Sequence, residues 1–219
     1  MGVSNLIFLD VFVIALGFFI RYINIIIEYI NLFSVIDRSD KPTDRWKNMF
    51  RVAMGQSKMT RRPIAGVLHI IVYLGFLIIN LEVIEIVVDG IFGTHRFLAS
   101  VIPLGLYNFL IGSFEILAIL VLVACVIFLV RRNIVRIKRF WSKEMTAWPR
   151  TDANLILVFE ILLMSAFLIM NATDSLLIAA GAEHYTTSFS IPISQYLQPL
   201  FSSMETSTLI ALERFTWWF

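Results

Sequence analysis

The run Ile64 to Leu81 spans 18 residues without a formal charge and carries one histidine, His69. At 1.5 Å per residue such a run is about long enough to cross a bilayer as a helix. An ionisable side chain inside a span is costly and marks a candidate functional position. Imidazole holds haem iron from within helical bundles. A lone intramembrane histidine also serves as a hydrogen-bonding partner for a neighbouring helix.

The rest of the chain has the same character. Hydrophobic residues make up 58% and charged residues 16% of its 219 residues, with a mean hydropathy of +0.81. That excludes an ordinary soluble domain and predicts an all-α integral membrane protein. Five spans are expected, over residues 5–32, 64–92, 106–130, 153–172 and 205–219. The fifth has 15 residues, about 22 Å of helix against a hydrocarbon core of ~30 Å. The pattern therefore predicts a five-helix bundle whose last helix is incomplete, in the first part of a longer polypeptide.

Basic residues set the expected orientation. Eight (Arg38, Lys41, Arg45, Lys47, Arg51, Lys58, Arg61, Arg62) lie between the first two spans. Seven (Arg131, Arg132, Arg136, Lys138, Arg139, Lys143, Arg150) lie between the third and fourth, and the other two loops hold only Arg96. The positive-inside rule places loops 33–63 and 131–152 in the cytoplasm and the N-terminus outside. Topology and contact with anionic lipid account for these charges, and no nucleic-acid partner is inferred from them. The N-terminal run lacks a basic n-region and is interrupted by Asp10, so it does not read as a cleavable signal. Cys125 is the one cysteine, which leaves no disulfide and no iron–sulfur ligand set in this chain. No glycine-rich phosphate loop and no internal repeat is seen.

The second span has two faces. Pro63 suits its first helical position. His69 follows about 9 Å below the cytoplasmic end. Tyr73 and Asn80 share its stripe, at roughly 40° and 20°. Gly66 and Gly75 on this helix fit a flat macrocycle or close helix packing equally well. Glu82, Glu85 and Asp89 fall roughly 160–220° away, at the outer end. Further acids, Asp10, Glu28, Glu115 and Glu160, lie in the other spans. Buried carboxyl groups in a membrane are protonated, paired or part of a proton path. Arg21 lies at a depth like that of His69 and suits a haem propionate, an acid partner or snorkelling to headgroups. His95 lies about 39 Å of helix beyond His69, so the two cannot share one iron. His184 reads as a solvated loop residue.

Several segments carry a resemblance. They include Gly55-Gln-Ser-Lys-Met-Thr-Arg-Arg-Pro63 before the His69 helix, Asn80-Leu-Glu-Val-Ile-Glu85, and Asp89-Gly-Ile-Phe-Gly-Thr-His-Arg96. They continue with Arg131-Arg-Asn133, Arg139-Phe-Trp141, Glu144-Met145, Trp148-Pro-Arg-Thr-Asp-Ala-Asn154 and Met170-Asn-Ala-Thr-Asp174. Together they resemble the membrane part of bacterial (Fe–S)-binding oxidoreductases related to heterodisulfide reductase. In that family a five-helix domain like the gamma subunit of respiratory nitrate reductase precedes a cytoplasmic iron–sulfur domain.

The resemblance implies a cytochrome b domain over residues 1–219 in the bacterial inner (cytoplasmic) membrane. It would pass electrons between a menaquinone or ubiquinone pool and cytoplasmic iron–sulfur clusters on a following domain or a partner. One or two haems b are implied. His69 is expected as an axial ligand, with its partner beyond Phe219, and His95 as the weaker candidate for a second haem. Arg21 and Tyr73 are expected beside the cofactor.

A quinol site exchanges protons as well as electrons. Packing alone gives no reason for three acids on one stripe, so a quinone site near the outer face is expected, with Glu82 or Glu85 as proton acceptor. A competing site lies beside Arg21 and His69. A haem-free anchor for a soluble redox partner and a small transporter using the acidic stripe remain as alternatives.

Overall fold

The computed structural model describes residues 3–32, 40–57, 59, 63–142, 148–185, 187 and 189–219, with only the backbone at 139. Arg38, Lys58, Arg61, Arg62, Lys143, Glu144 and Met145 lie outside the described residues. Among the described residues eight α-helices follow one another: α1 Val3–Asn31, α2 Pro42–Met49, α3 Pro63–Phe92, α4 Phe97–Val101, α5 Leu104–Leu129, α6 Trp148–Ala179, α7 Gln198–Phe201 and α8 Thr206–Trp218. No strand occurs among the described residues. Four helices are long and apolar enough to cross a membrane: α1, α3, α5 with its π-turn extension to Ile134, and α6. The chain is thus a multi-pass membrane protein. The fifth expected helix is α8, with 13 residues, about 20 Å long.

Boundaries follow local chemistry. α6 begins at Trp148, five residues before the predicted 153, with Pro149 in its first turn, where a missing N–H costs nothing. It also runs past the predicted end at 172, because Asn171 and Asp174 are buried against partners rather than exposed to lipid. α3 stops at Gly93, whose φ of +71° suits a left-handed helix C-terminus that glycine adopts without penalty.

The core is a seam along α5. Tyr107, Ile111, Phe114, Ala118, Val121 and Cys125 are all buried and recur every three or four residues, so one face of α5 meets its neighbours. α3 and α6 pack on it, and α8 packs on α6. At Gly75 of α3 an added Cβ would overlap Val121 Cγ2. Close approach of two helices therefore uses this glycine. Near the basic loops, Arg132 donates to the carbonyls of Pro149 and Arg150, Trp141 Nε1 donates to the Arg132 carbonyl, and Asn133 and Asn154 exchange amide hydrogen bonds. The Arg150 guanidinium lies 3.5 Å from the Trp141 ring centre. These contacts tie the ends of α5 and α6 together.

α1 stands apart. None of its residues is buried. Its attachment lies at the end away from the basic loops, hereafter the outer end, where Asn5 Nδ2 donates to the Gly90 carbonyl at 2.9 Å. There Phe8 lies so close to Gly90 that a Cβ would be 2.5 Å from the ring.

Candidate functional site: a buried ionic cluster below an outer cleft

On α3 the residues Gly75, Ile79, Glu82, Glu85 and Asp89 are buried. The acidic stripe therefore continues the helix's packing seam rather than forming a separate polar face. Its main partner is Arg96, in the turn between α3 and α4 and itself buried. Arg96 Nη1 donates to Glu82 Oε1 at 2.8 Å, Nη2 to Asn171 Oδ1 at 2.7 Å, and Nε and Nη2 to Asp174 Oδ2 at 3.0 Å each. The planar fork thus serves three acceptors at once. Phe189 covers the guanidinium, with Cζ 4.2 Å from the ring centre. Burial works against the Arg96 charge, but the carboxylates of Asp174 and Glu82 outweigh it and hold the group well above its ordinary value.

Asp89 and Glu85 close the start of α4. Asp89 accepts from the backbone N–H of Arg96 at 2.8 Å and of Phe97 at 3.2 Å, and from the Thr94 hydroxyl. Glu85 Oε1 accepts from Leu98 N–H at 2.8 Å. Carboxylates suit the unpaired N–H groups of a helix start. Each of the three acids thus has a structural partner, which corrects the expectation that packing gives no reason for them. One oxygen of Glu82 and one of Glu85 (Oε2 in both) are buried without a hydrogen bond among the described residues. Glu115 plays a similar structural part on α5, accepting from Asn171 Nδ2, Ile193 N–H and Ser194 N–H.

Above the cluster lies a cleft of about 460 Å³, walled by α1, the end of α3, the 183–185 loop and α8. Its aromatic side is Phe8, Trp217 and Trp218, with ring centres 5.5–5.9 Å apart. Its polar side is His95, His184, Tyr185 and Glu213. The Tyr185 hydroxyl donates to Glu213 Oε2 at 2.7 Å. Burial, then Glu213, raises the Tyr185 pKa, while burial and then His95 lower that of His184. A chamber of about 20 Å³, lined by Glu82, Glu85, Asp89, Glu213 and others, shares Asp89, His95, Glu213 and Trp217 with this cleft. That is room for about one water. Asp174, Asn171, Glu213 and Tyr185 were absent from the sequence-derived site. The buried Met170–Asp174 segment was the available signal for the first two.

The other candidates are dispersed. His69 is half-buried on α3, away from the seam, and its side chain makes no hydrogen bond among the described residues. An unpartnered imidazole inside a span fits an axial ligand role. Tyr73 is directed to Met54 Sδ at 3.8 Å, and Arg21 is exposed on α1. His95 is different: Nε2 lies 3.2 Å from Asp174 Oδ1, and its ring stands edge-on to Tyr185. That arrangement ties Nε2 to a carboxylate and leaves the buried Nδ1 without a hydrogen-bond partner among the described residues. Among the described residues no group of three His, Cys, Asp or Glu side chains is placed to hold a metal ion.

No family model matches the chain, and no solved structure matches it. It is similar to the EtfAB:quinone oxidoreductase of Syntrophomonas wolfei subsp. wolfei (strain DSM 2245B / Goettingen), at 27% identity over 193 residues. The match takes in 84% of this chain but 25% of that protein, so the chain spans about a quarter of the relative's length. The chain is thus a multi-helix membrane protein similar to part of a quinone-linked oxidoreductase.

Proposed function

We propose that this chain is the membrane cytochrome b-type part of a quinone-linked oxidoreductase in the bacterial inner membrane. In this reading it exchanges electrons between a menaquinone or ubiquinone pool and iron–sulfur clusters on the basic-loop side. Those clusters belong to a further domain or a partner protein. His69, with a second ligand from outside this chain's described residues, would hold haem b, which would supply one-electron chemistry. Arg21 and Tyr73 lie on the same half of the bundle and are assigned to the cofactor's surroundings.

The observation that carries the reading is the outer cleft. Its volume lies within the roughly 300–1,000 Å³ of small-molecule sites, and its wall of three aromatic rings suits a flat ring. Four carboxyl groups (Glu82, Glu85, Asp89, Asp174) line one chamber with Arg96 beside it, and two of them, Glu82 and Asp174, hold its guanidinium. A site that moves protons with electrons needs such groups close to water. Glu82 and Glu85, each with an oxygen free of partners, are assigned to proton exchange. The similarity to a quinone oxidoreductase supports the same reading.

The test is a reduced-minus-oxidised visible spectrum of membranes containing the complete protein, with and without menadiol as reductant. Sharp b-type bands that appear with menadiol are expected. Absence of a b-type pigment overturns the haem assignment, and failure of any quinol to reduce the protein overturns the quinone assignment.

A further inference from the structure

We propose that Glu213 is the first proton acceptor for quinol bound in the outer cleft, standing between that cleft and Glu82 and Glu85. The proposal rests on the quinone reading above and names the residue that touches the substrate. Glu213 is the carboxyl group of α8, and it lines both the outer cleft and the inner chamber. Asp89, His95 and Trp217 share both linings, so Asp89 and Glu213 are the two carboxyl groups that do. Asp89 accepts hydrogen bonds from the start of α4; His95 turns Nε2 to Asp174 and keeps Nδ1 without a partner among the described residues. Glu213 has one oxygen fixed by the Tyr185 hydroxyl at 2.7 Å. The other, Oε1, has no partner among the described residues. A carboxylate that lines a cleft, held by one oxygen and unpartnered at the other, is positioned to receive a proton.

The step balances as follows. Oxidation of quinol to quinone releases two electrons and two protons. The electrons leave one at a time to a one-electron iron centre of the oxidoreductase. The first O–H bond breaks towards Glu213 Oε1, and that proton passes across the chamber, with its room for one water, to the unpartnered oxygen of Glu85. The second O–H bond breaks towards Glu213, which holds that proton. Both protons return to the cleft and its water once quinone has left. The groups facing Glu213 are Asp89 from α3, His95 and Arg96 from the turn after it, Asp174 from α6, Tyr185 and His184 from the loop, and Arg214 beside it. In quinone reduction the same positions donate.

The test uses the complete membrane-bound protein with menadiol and decylubiquinol as probes and an artificial one-electron acceptor. Glu213→Gln keeps the shape and the hydrogen bond from Tyr185 but accepts no proton. Turnover is expected to fall about 100-fold, with pigment content and probe binding retained. Glu213→Asp is expected to restore part of the rate, and Tyr185→Phe, which frees the carboxylate, to move the pH profile. Wild-type turnover and an unmoved pH profile in Glu213→Gln overturn the proposal while leaving the quinone reading intact. If the unaltered protein neither binds nor oxidises either probe, the quinone reading and the proposal fall together. Should Glu213→Gln fail to assemble, Glu213→Asp and Tyr185→Phe decide it: an unmoved pH profile in both overturns the assignment.

Discussion

Arg96 Nη1 lies 2.8 Å from Glu82 Oε1 in an ion pair whose members are both almost completely buried. The pair sets the character of the outer end. Removing the cation leaves Glu82 and Asp174 without the guanidinium between them, and an uncompensated buried charge costs far more than the pair contributes.

Arg96→Gln is therefore expected to lower stability by about 3–5 kcal/mol. Arg96→Lys is expected to recover only part of this, since an ammonium cannot reproduce the fork that reaches three acceptors. Thermal unfolding in detergent micelles measures both. Wild-type stability for Arg96→Gln contradicts the network.

The helix approach at Gly75 yields a second expectation. A methyl group there overlaps Val121 Cγ2, so Gly75→Ala is expected to cost about 1–3 kcal/mol. Val121→Ala in the same chain is expected to relieve much of that loss. A double-mutant cycle reads the coupling directly, and additive effects exclude the contact.

Orientation is tested by labelling. With its lone native Cys125 buried in the α5 seam, the chain has a quiet background. Arg45→Cys and Lys138→Cys are expected to react with an impermeant maleimide only from the cytoplasmic side. Reaction of either from the outside alone reverses the topology.

His69→Ala is expected to remove a b-type haem from the complete protein without preventing its insertion, since one side chain barely changes the hydrophobicity of the span. The pyridine haemochrome content of purified protein measures this. Unchanged pigment reduces His69 to a packing residue.

The cleft also carries a pH signature. The His184 pKa lies below its ordinary value of 6.5 because of burial and then His95. With the folded value depressed, the folded chain binds fewer protons than the open one, so the loop is most stable above pH ~6.5 and loosens as acid is added. NMR of histidine-labelled protein is expected to give a His184 midpoint below 6.5, moved upward by His95→Gln. A midpoint at or above that value in the unaltered protein refutes the described surroundings.

The spans were legible because apolar runs bounded by basic loops leave little choice of placement. α1, α3 and α5 begin and end within a few residues of the expected bounds. The acidic stripe Glu82–Glu85–Asp89 was legible from helical spacing, and Arg96 stood out as the one basic residue of the outer loops. Their union was not legible: Arg96 meets Asn171 and Asp174 across 75 and 78 residues, and Tyr185 meets Glu213 across 28. Helical periodicity carries no information on which face of one helix meets another. The use of Asp89 and Glu85 as caps for α4 was not legible, because it depends on a turn whose Arg96 has a φ of 58°, a geometry without a clear local signal.

The long sequence separations around Arg96 have a consequence for how the protein is made. α3 and its following turn leave the ribosome well before α6, which carries the guanidinium's acceptors Asn171 and Asp174. Until α6 has been delivered into the bilayer, Glu82 is the side-chain acceptor already in place for the guanidinium, and the donors that serve Asn171 and Asp174 are left to water. A ribosome-stalled chain that ends before α6 holds Arg96 in aqueous surroundings, and docking of α6 is the event that draws it inward.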